Sequence, residues 1–119
     1  MIDLLPIEKE LRKGVLGIIL LKTVSKERLY GYEIMNRISD ESCGYFDLKE
    51  GTLYPVLYRL EDEKLIESSW GEDTSKRGAR RKYYTITDAG TEKLETYQRI
   101  WKDFSEKVDK ILYGGNANG

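Results

Sequence analysis

The stretch Val15-Leu16-Gly17-Ile18-Ile19-Leu20-Leu21 constrains this chain more than any other segment. At helical spacing its apolar side chains go nearly all the way round. A helix that is apolar on every side is buried on every side. In a chain of 119 residues, the subunit's own core covers one face, and the other face calls for a partner subunit. With Leu11 in the same pattern, the periodicity predicts one helix from about Ile7 to Val24.

The rest of the chain is short elements and one long one. Tyr32, Ile34, Met35 and Ile38 predict a second helix that fades by Ser42, and Cys43 to Phe46 reads as a turn. A third helix starts between Asp47 and Glu50, with Leu53, Val56, Leu57 and Leu60 on one stripe. Pro55 sits early in it and is expected to disturb the first turn. The period then changes to two. Leu65–Trp70 and Arg81–Ile86 predict two strands, with Ile66, Ser68 and Trp70 on one face and Tyr84 and Ile86 on one face. The polar, glycine-bounded segment between them makes this a hairpin with a long tip. Thr87 or Asp88 can cap a last helix that reaches about Leu112. Its apolar residues Leu94, Tyr97, Trp101, Phe104, Val108 and Ile111 are spaced as a heptad seam, the stripe of a helix that packs on another helix. The expected fold class is α+β: a winged helix-turn-helix of three helices and a two-stranded wing, with a long C-terminal dimerisation helix. The expected organisation is a DNA-binding domain over residues 1–87, the dimerisation helix over 88–113 and a disordered tail over 114–119.

Composition removes several function classes. There is no histidine and one cysteine, Cys43. That leaves no usual metal site and few nucleophile–base pairs, and no glycine-rich phosphate loop is present. The reading is a non-enzyme without a cofactor. A lone cysteine, no signal-like start and no long apolar run imply a cytoplasmic protein without a membrane partner. Net charge is −1, which by itself argues mildly against a nucleic-acid partner. Distribution says more than the sum. Residues 65–86 carry five basic and three acidic side chains. All five cations, Lys76, Arg77, Arg80, Arg81 and Lys82, fall in one run that no acid interrupts.

Four stretches carry a family resemblance. They are Gly31-Tyr32-Glu33-Ile34; Gly51-Thr52-Leu53-Tyr54-Pro55-Val56-Leu57-Tyr58-Arg59-Leu60-Glu61; Leu65-Ile66 with Arg80-Arg81-Lys82-Tyr83-Tyr84-Thr85-Ile86-Thr87; and Ala89-Gly90 with Leu94. In this order and spacing the sequence resembles the PadR family of transcription regulators, over roughly residues 11–104. The resemblance implies a dimeric repressor that binds a short palindromic operator in double-stranded DNA and releases it on binding a small aromatic compound. The short C-terminal part is similar to the subgroup with a single C-terminal helix. Lys49 and Glu50 depart from the pattern, standing where members often have a serine cap and a small or proline residue.

The residues support specific assignments. Five cations on a hairpin tip would neutralise phosphates and release counterions. On the third helix, Gly51, Pro55, Tyr58 and Asp62 lie opposite the apolar stripe, with Thr52, Tyr54 and Arg59 flanking it. Lys49, Thr52, Tyr54 and Tyr58 are the candidate groove contacts, and Arg59 a phosphate contact or a surface ion pair. Trp101 is a candidate platform for a planar aromatic ligand, with Leu16, Ile19, Phe104 and Val108 as walls and Asp103 and Glu106 placed to attract a cation. Packing alone is the plainer account of Trp101. Tyr32, Tyr83, Tyr84 and Trp70 read most simply as core and hairpin-face aromatics. The alternative function is a winged-helix protein-interaction module that does not bind DNA.

Overall fold

The computed structural model describes residues 5–71 and 80–114. The elements are α1 (Leu5–Lys13), α2 (Leu16–Lys26), β1 (Leu29–Tyr30), α3 (Gly31–Glu41), α4 (Glu50–Asp62), β2 (Ile66–Trp70), β3 (Lys82–Ile86) and α5 (Asp88–Tyr113). The predicted first helix is therefore two helices. Gly14 and Val15 leave helical hydrogen bonding for a turn, with Gly14 N–H donating to Leu11 and Val15 N–H to Arg12. Apolar periodicity runs through this break, which is why it does not show in the pattern. Glycine's low helix propensity marks the place.

The core is aliphatic. Leu16, Leu20, Leu21 and Val24 of α2 meet Ile34 and Ile38 of α3, Leu53, Leu57 and Leu60 of α4, and Ile66 and Tyr84 of the sheet. Each fully buried aliphatic side chain contributes about 1.5–3 kcal/mol, well above the ~0–1 kcal/mol of an exposed ion pair. The ion pairs here are exposed or half-exposed, so burial of α2 decides the fold.

Two glycines admit the close approaches that position the elements. A Cβ on Gly31 would collide with the Tyr54 hydroxyl and ring, so α3 and α4 cross there on glycine. A Cβ on Gly90 would collide with the Leu65 carbonyl oxygen and the Ile86 side chain, so α5 leaves the sheet at that point. Local caps agree with this arrangement. Tyr30 N–H donates to the Glu33 carboxylate (3.2 Å) at the start of α3. Thr87 is the cap of α5: its hydroxyl accepts from Gly90 N–H (3.1 Å) and donates to the Lys64 carbonyl (2.7 Å).

The sheet has three antiparallel strands in the order β1-β3-β2. The hairpin is as expected; β1 is an addition. It is two residues long, too short for any periodicity to reveal. Leu29 pairs with Tyr84 and Tyr30 with Tyr83, while Ser68 pairs with Tyr84 from the other side. Alternation divides the sheet. Leu29, Tyr84 and Ile66 are buried against the helices, and Arg28, Tyr30, Arg81 and Tyr83 belong to the opposite face.

Pro55 does not interrupt α4, which is continuous across it. The donor it removes would have reached Gly51, an exposed residue whose carbonyl is open to water. No helix among the described residues is long and apolar enough to cross a membrane.

Candidate nucleic-acid interface

Alpha-helix α4 presents an uneven outer side. Gly51, Thr52, Pro55 and Tyr58 are exposed, with Lys49 at the N-cap position just before them. Lys49 pairs with Asp47 at 3.0 Å, but both side chains are largely exposed. A pair so hydrated is weak, and an incoming phosphate can take its place. Two other sequence candidates turn elsewhere. Tyr54 is half-buried over Gly31, and burial raises its pKa above the ordinary tyrosine value. The Arg59 guanidinium lies against Gly17 of α2, with Lys13, Lys93 and Glu63 lining the same small pocket. It sits on the α2 side of α4, away from Gly51 and Thr52. The reason is geometric: a residue flanking an apolar stripe is drawn to whichever neighbour packs beside it, and periodicity does not name that neighbour.

At the wing, Lys82 forms the junction with α4. Its ammonium is 3.8 Å from one Glu61 oxygen and 5.9 Å from the centre of the exposed Tyr58 ring. The other Glu61 oxygen accepts from the Ser68 hydroxyl. Lys82 therefore holds the wing to the helix, where the sequence suggests a phosphate contact. Arg80 and Arg81 are exposed. Arg80 lies 5.8 Å over the exposed Trp70 ring, and its Nε donates to the Gly71 carbonyl (3.2 Å). Lys76 and Arg77 lie outside the described residues.

The outer sheet face carries a stack that the sequence did not suggest. The Arg28 guanidinium is 3.9 Å from the Tyr83 ring centre. Tyr83 meets Tyr30 edge-to-face at 5.4 Å, and Arg81 lies 4.7 Å over Tyr30. Arg28 is far in sequence from the basic run and joins it only through β1. Of the aromatics expected in the core or on the hairpin, Tyr84 is fully buried, and burial pushes its hydroxyl pKa up to about 12. Trp70 stands on the hairpin in β2 at 56% exposure, while Tyr32 is exposed at 62% on α3.

A second surface is apolar. An open groove of about 1050 Å³ runs between α1, α2 and α5 and is lined by Leu11, Val15, Ile18, Ile19, Trp101, Phe104 and Val108, among others. Trp101 and Phe104 are half-exposed, their rings 6.3 Å apart. Leu16 and Leu94, expected as ligand wall and seam residue, are buried in the subunit's own core. Leu16 lies away from the groove, whereas Leu94 is packed in the core and also lines the groove wall. Ile111 is 83% exposed at the far end of α5, beyond the groove. Asp103 is engaged with Lys107 at 2.8 Å, a hydrogen bond that lowers its carboxyl pKa.

A helix pair α3–α4 beside a β2–β3 hairpin, followed by a long helix, defines a winged helix-turn-helix regulator with a C-terminal helical extension. Comparison with known proteins makes this specific: the chain matches the Transcriptional regulator PadR-like family over residues 20–96 and belongs to that family. Its members are transcription regulators, not enzymes. A Lysinibacillus sphaericus protein is 34% identical, covering 91% of this chain and 97% of its own. A PadR-like regulator from Bacillus cereus is 38% identical, with a TM-score of 0.72 over 87% of this chain and 96% of that one. Bacillus subtilis PadR, solved in complex with operator DNA, is 30% identical with a TM-score of 0.63; the match covers 71% of this chain and 46% of that one.

Proposed function

We propose that this protein is a homodimeric repressor that binds a palindromic operator through α4 and the wing, and releases it when a planar aromatic ligand enters the α1/α2/α5 groove. The observation that carries the reading is the Lys82 junction. It sets the arginine-bearing wing beside the exposed Tyr58 of α4, so helix and wing form one surface. Thr52, Tyr58 and Lys49 then face base edges and adjacent phosphates in a major groove, and Arg80 and Arg81 neutralise the flanking backbone. A basic patch on a chain of net charge −1 is the footprint of a local nucleic-acid surface. The negative regulator PadR of Bacillus subtilis, 31% identical over 85 residues, supports repression. The structure of that PadR with operator DNA supports the partner.

The groove supports the other half. An exposed apolar patch of this size marks a partner or ligand, and a second copy closes it with two-fold symmetry. Trp101 from both copies then flanks the axis and offers an indole face to a flat ligand. Release requires that the ligand bind unequally to the two spacings of the recognition helices.

Selection of bound sequences from random duplex DNA tests the first half. It should return a pseudo-palindrome with half-site centres roughly 34–36 Å apart; enrichment of no sequence would overturn operator recognition. In a Trp70→Phe background, planar aromatic dyes should quench Trp101 and weaken DNA binding together, because one coupling free energy governs both. Dyes that leave both signals unchanged would make Trp101 a packing residue.

A further inference from the structure

We propose that Arg28 is a DNA-phosphate contact, and that Arg28 and Arg81 form a two-arginine clamp held in shape by the Tyr30–Tyr83 pair. The inference rests on the DNA-binding reading above and adds a residue from outside the helix, the wing and the basic run.

Parity places these four side chains together. Tyr30 and Tyr83 are directly opposite one another in the β1–β3 ladder. Their neighbours Leu29 and Tyr84 point into the core, at 3% and 1% exposure. Arg28 and Arg81, each two residues from such an inward neighbour's outward partner along its strand, stand on the outer face with the two tyrosines. The stacking is crossed. Arg28, next to β1, covers the ring from β3 at 3.9 Å, and Arg81, next to β3, covers the ring from β1 at 4.7 Å. The edge-to-face tyrosines lie between the two guanidinium groups.

A guanidinium laid on an aromatic face keeps its N–H donors in the plane of the fork, free to reach outward. That is the geometry of bidentate phosphate binding. Stacking also restricts a long side chain before the ligand arrives, which reduces the ordering cost on binding. Carboxylates engage several of the other cations. Lys26, Arg37, Lys49, Lys82, Lys93 and Lys107 each meet a carboxylate. Among the described residues neither Arg28 nor Arg81 does, although both are exposed. Cation–π contacts at exposed sites add little stability, so stability gives little reason for two arginines here, whereas a backbone phosphate gives a direct one. The clamp sits where β1 runs into α3.

The test is anisotropy of a labelled mixed-sequence duplex of about 30 base pairs, measured across a salt series. Arg28→Gln should weaken binding roughly three- to tenfold and lower the slope of log affinity against log salt by about one. Arg28→Met, whose unbranched stem still covers Tyr83, should do the same and stands in if Arg28→Gln fails to fold. Arg28→Lys should keep the slope and lose part of the affinity. Tyr83→Leu, with both charges intact, should likewise weaken binding at nearly constant slope. Arg37→Gln, which breaks a pair with Glu27, should change neither. If Arg28→Gln and Arg28→Met bind with unchanged affinity and slope while Arg80→Ala/Arg81→Ala loses slope, the wing binds DNA without Arg28 and the clamp is wrong. A wild-type protein with no salt-dependent binding would overturn the DNA reading, and the clamp with it.

Discussion

At the residue scale, the informative positions are those where a side chain is missing. Gly31 gives Tyr54 room to lie across the start of α3, and its own Cβ would occupy the space of the hydroxyl and ring. Neighbouring Tyr32 is exposed, so the Gly-Tyr-Glu-Ile stretch divides its work: glycine for contact, glutamate for the cap, isoleucine for the core. Gly31→Ala should therefore behave as overpacking and destabilise by about 1–3 kcal/mol. Thermal melting checks this, and a midpoint lowered by several degrees or more is expected for a domain of this size. An unchanged midpoint would mean that Tyr54 swings out at no cost. Arg28 makes the complementary point. Its neighbours in sequence are Glu27 and Leu29, and nothing there suggests a phosphate; its chemistry is set by Tyr83, which only the sheet brings near.

At the element scale, a few joints hold the binding parts in register. One is the Glu61–Lys82–Ser68 network between α4 and the wing. Another is Thr87, which follows β3, caps α5 and reaches the Lys64 carbonyl after α4. Thr87→Ala removes the cap and leaves the Gly90 N–H and the Lys64 carbonyl without this partner. A loss of about 1–2 kcal/mol is expected. Denaturant unfolding measures it, and Thr87→Ser, which retains the hydroxyl, should recover most of it. A serine variant as unstable as the alanine one would assign the loss to the methyl group instead. Because Thr87 touches three elements, the alanine variant should also loosen the angle between wing and α5.

At the scale of the whole molecule, the elongated outline of 63 × 39 × 23 Å comes from α5, whose distal half carries exposed Ile111, Leu112 and Tyr113. A 26-residue helix with a half-exposed Trp101 and Phe104 lining an apolar groove supports the proposed dimer. The proposed dimer predicts that sedimentation gives two chains per particle at micromolar concentration. Phe104→Glu should shift the protein toward monomer, since a carboxylate in a closed apolar seam is costly. Residue 104 is 57% exposed within the subunit, so the fold should survive the change. A wild-type monomer, or a Phe104→Glu dimer as stable as wild type, would count against this groove as the dimer seam. Operator affinity should fall with the dimer, because two half-sites bound by one particle gain from effective concentration.

Period and punctuation in the sequence determined most of the element order: the 3.6-residue stripe of α4, the change to period two in the hairpin, the threonine cap and heptad spacing of α5. These are local regularities, set by backbone geometry and readable within a window of about ten to twenty residues. The break between α1 and α2, the two-residue β1 and the direction taken by borderline side chains were decided by tertiary structure. Tyr54 turned to α3, Arg59 to α2 and Lys82 to Glu61 because each met a neighbour distant in sequence. Leu16 joined the subunit core, Leu94 joined it at the groove's edge, and Trp101 and Phe104 stayed exposed in the groove, since a seam of heptad spacing states that a helix packs on something but not on what. The basic run was legible as charge. Its extension through Arg28 was not, because a cation–π stack across paired strands exists only once the register places Tyr30 opposite Tyr83.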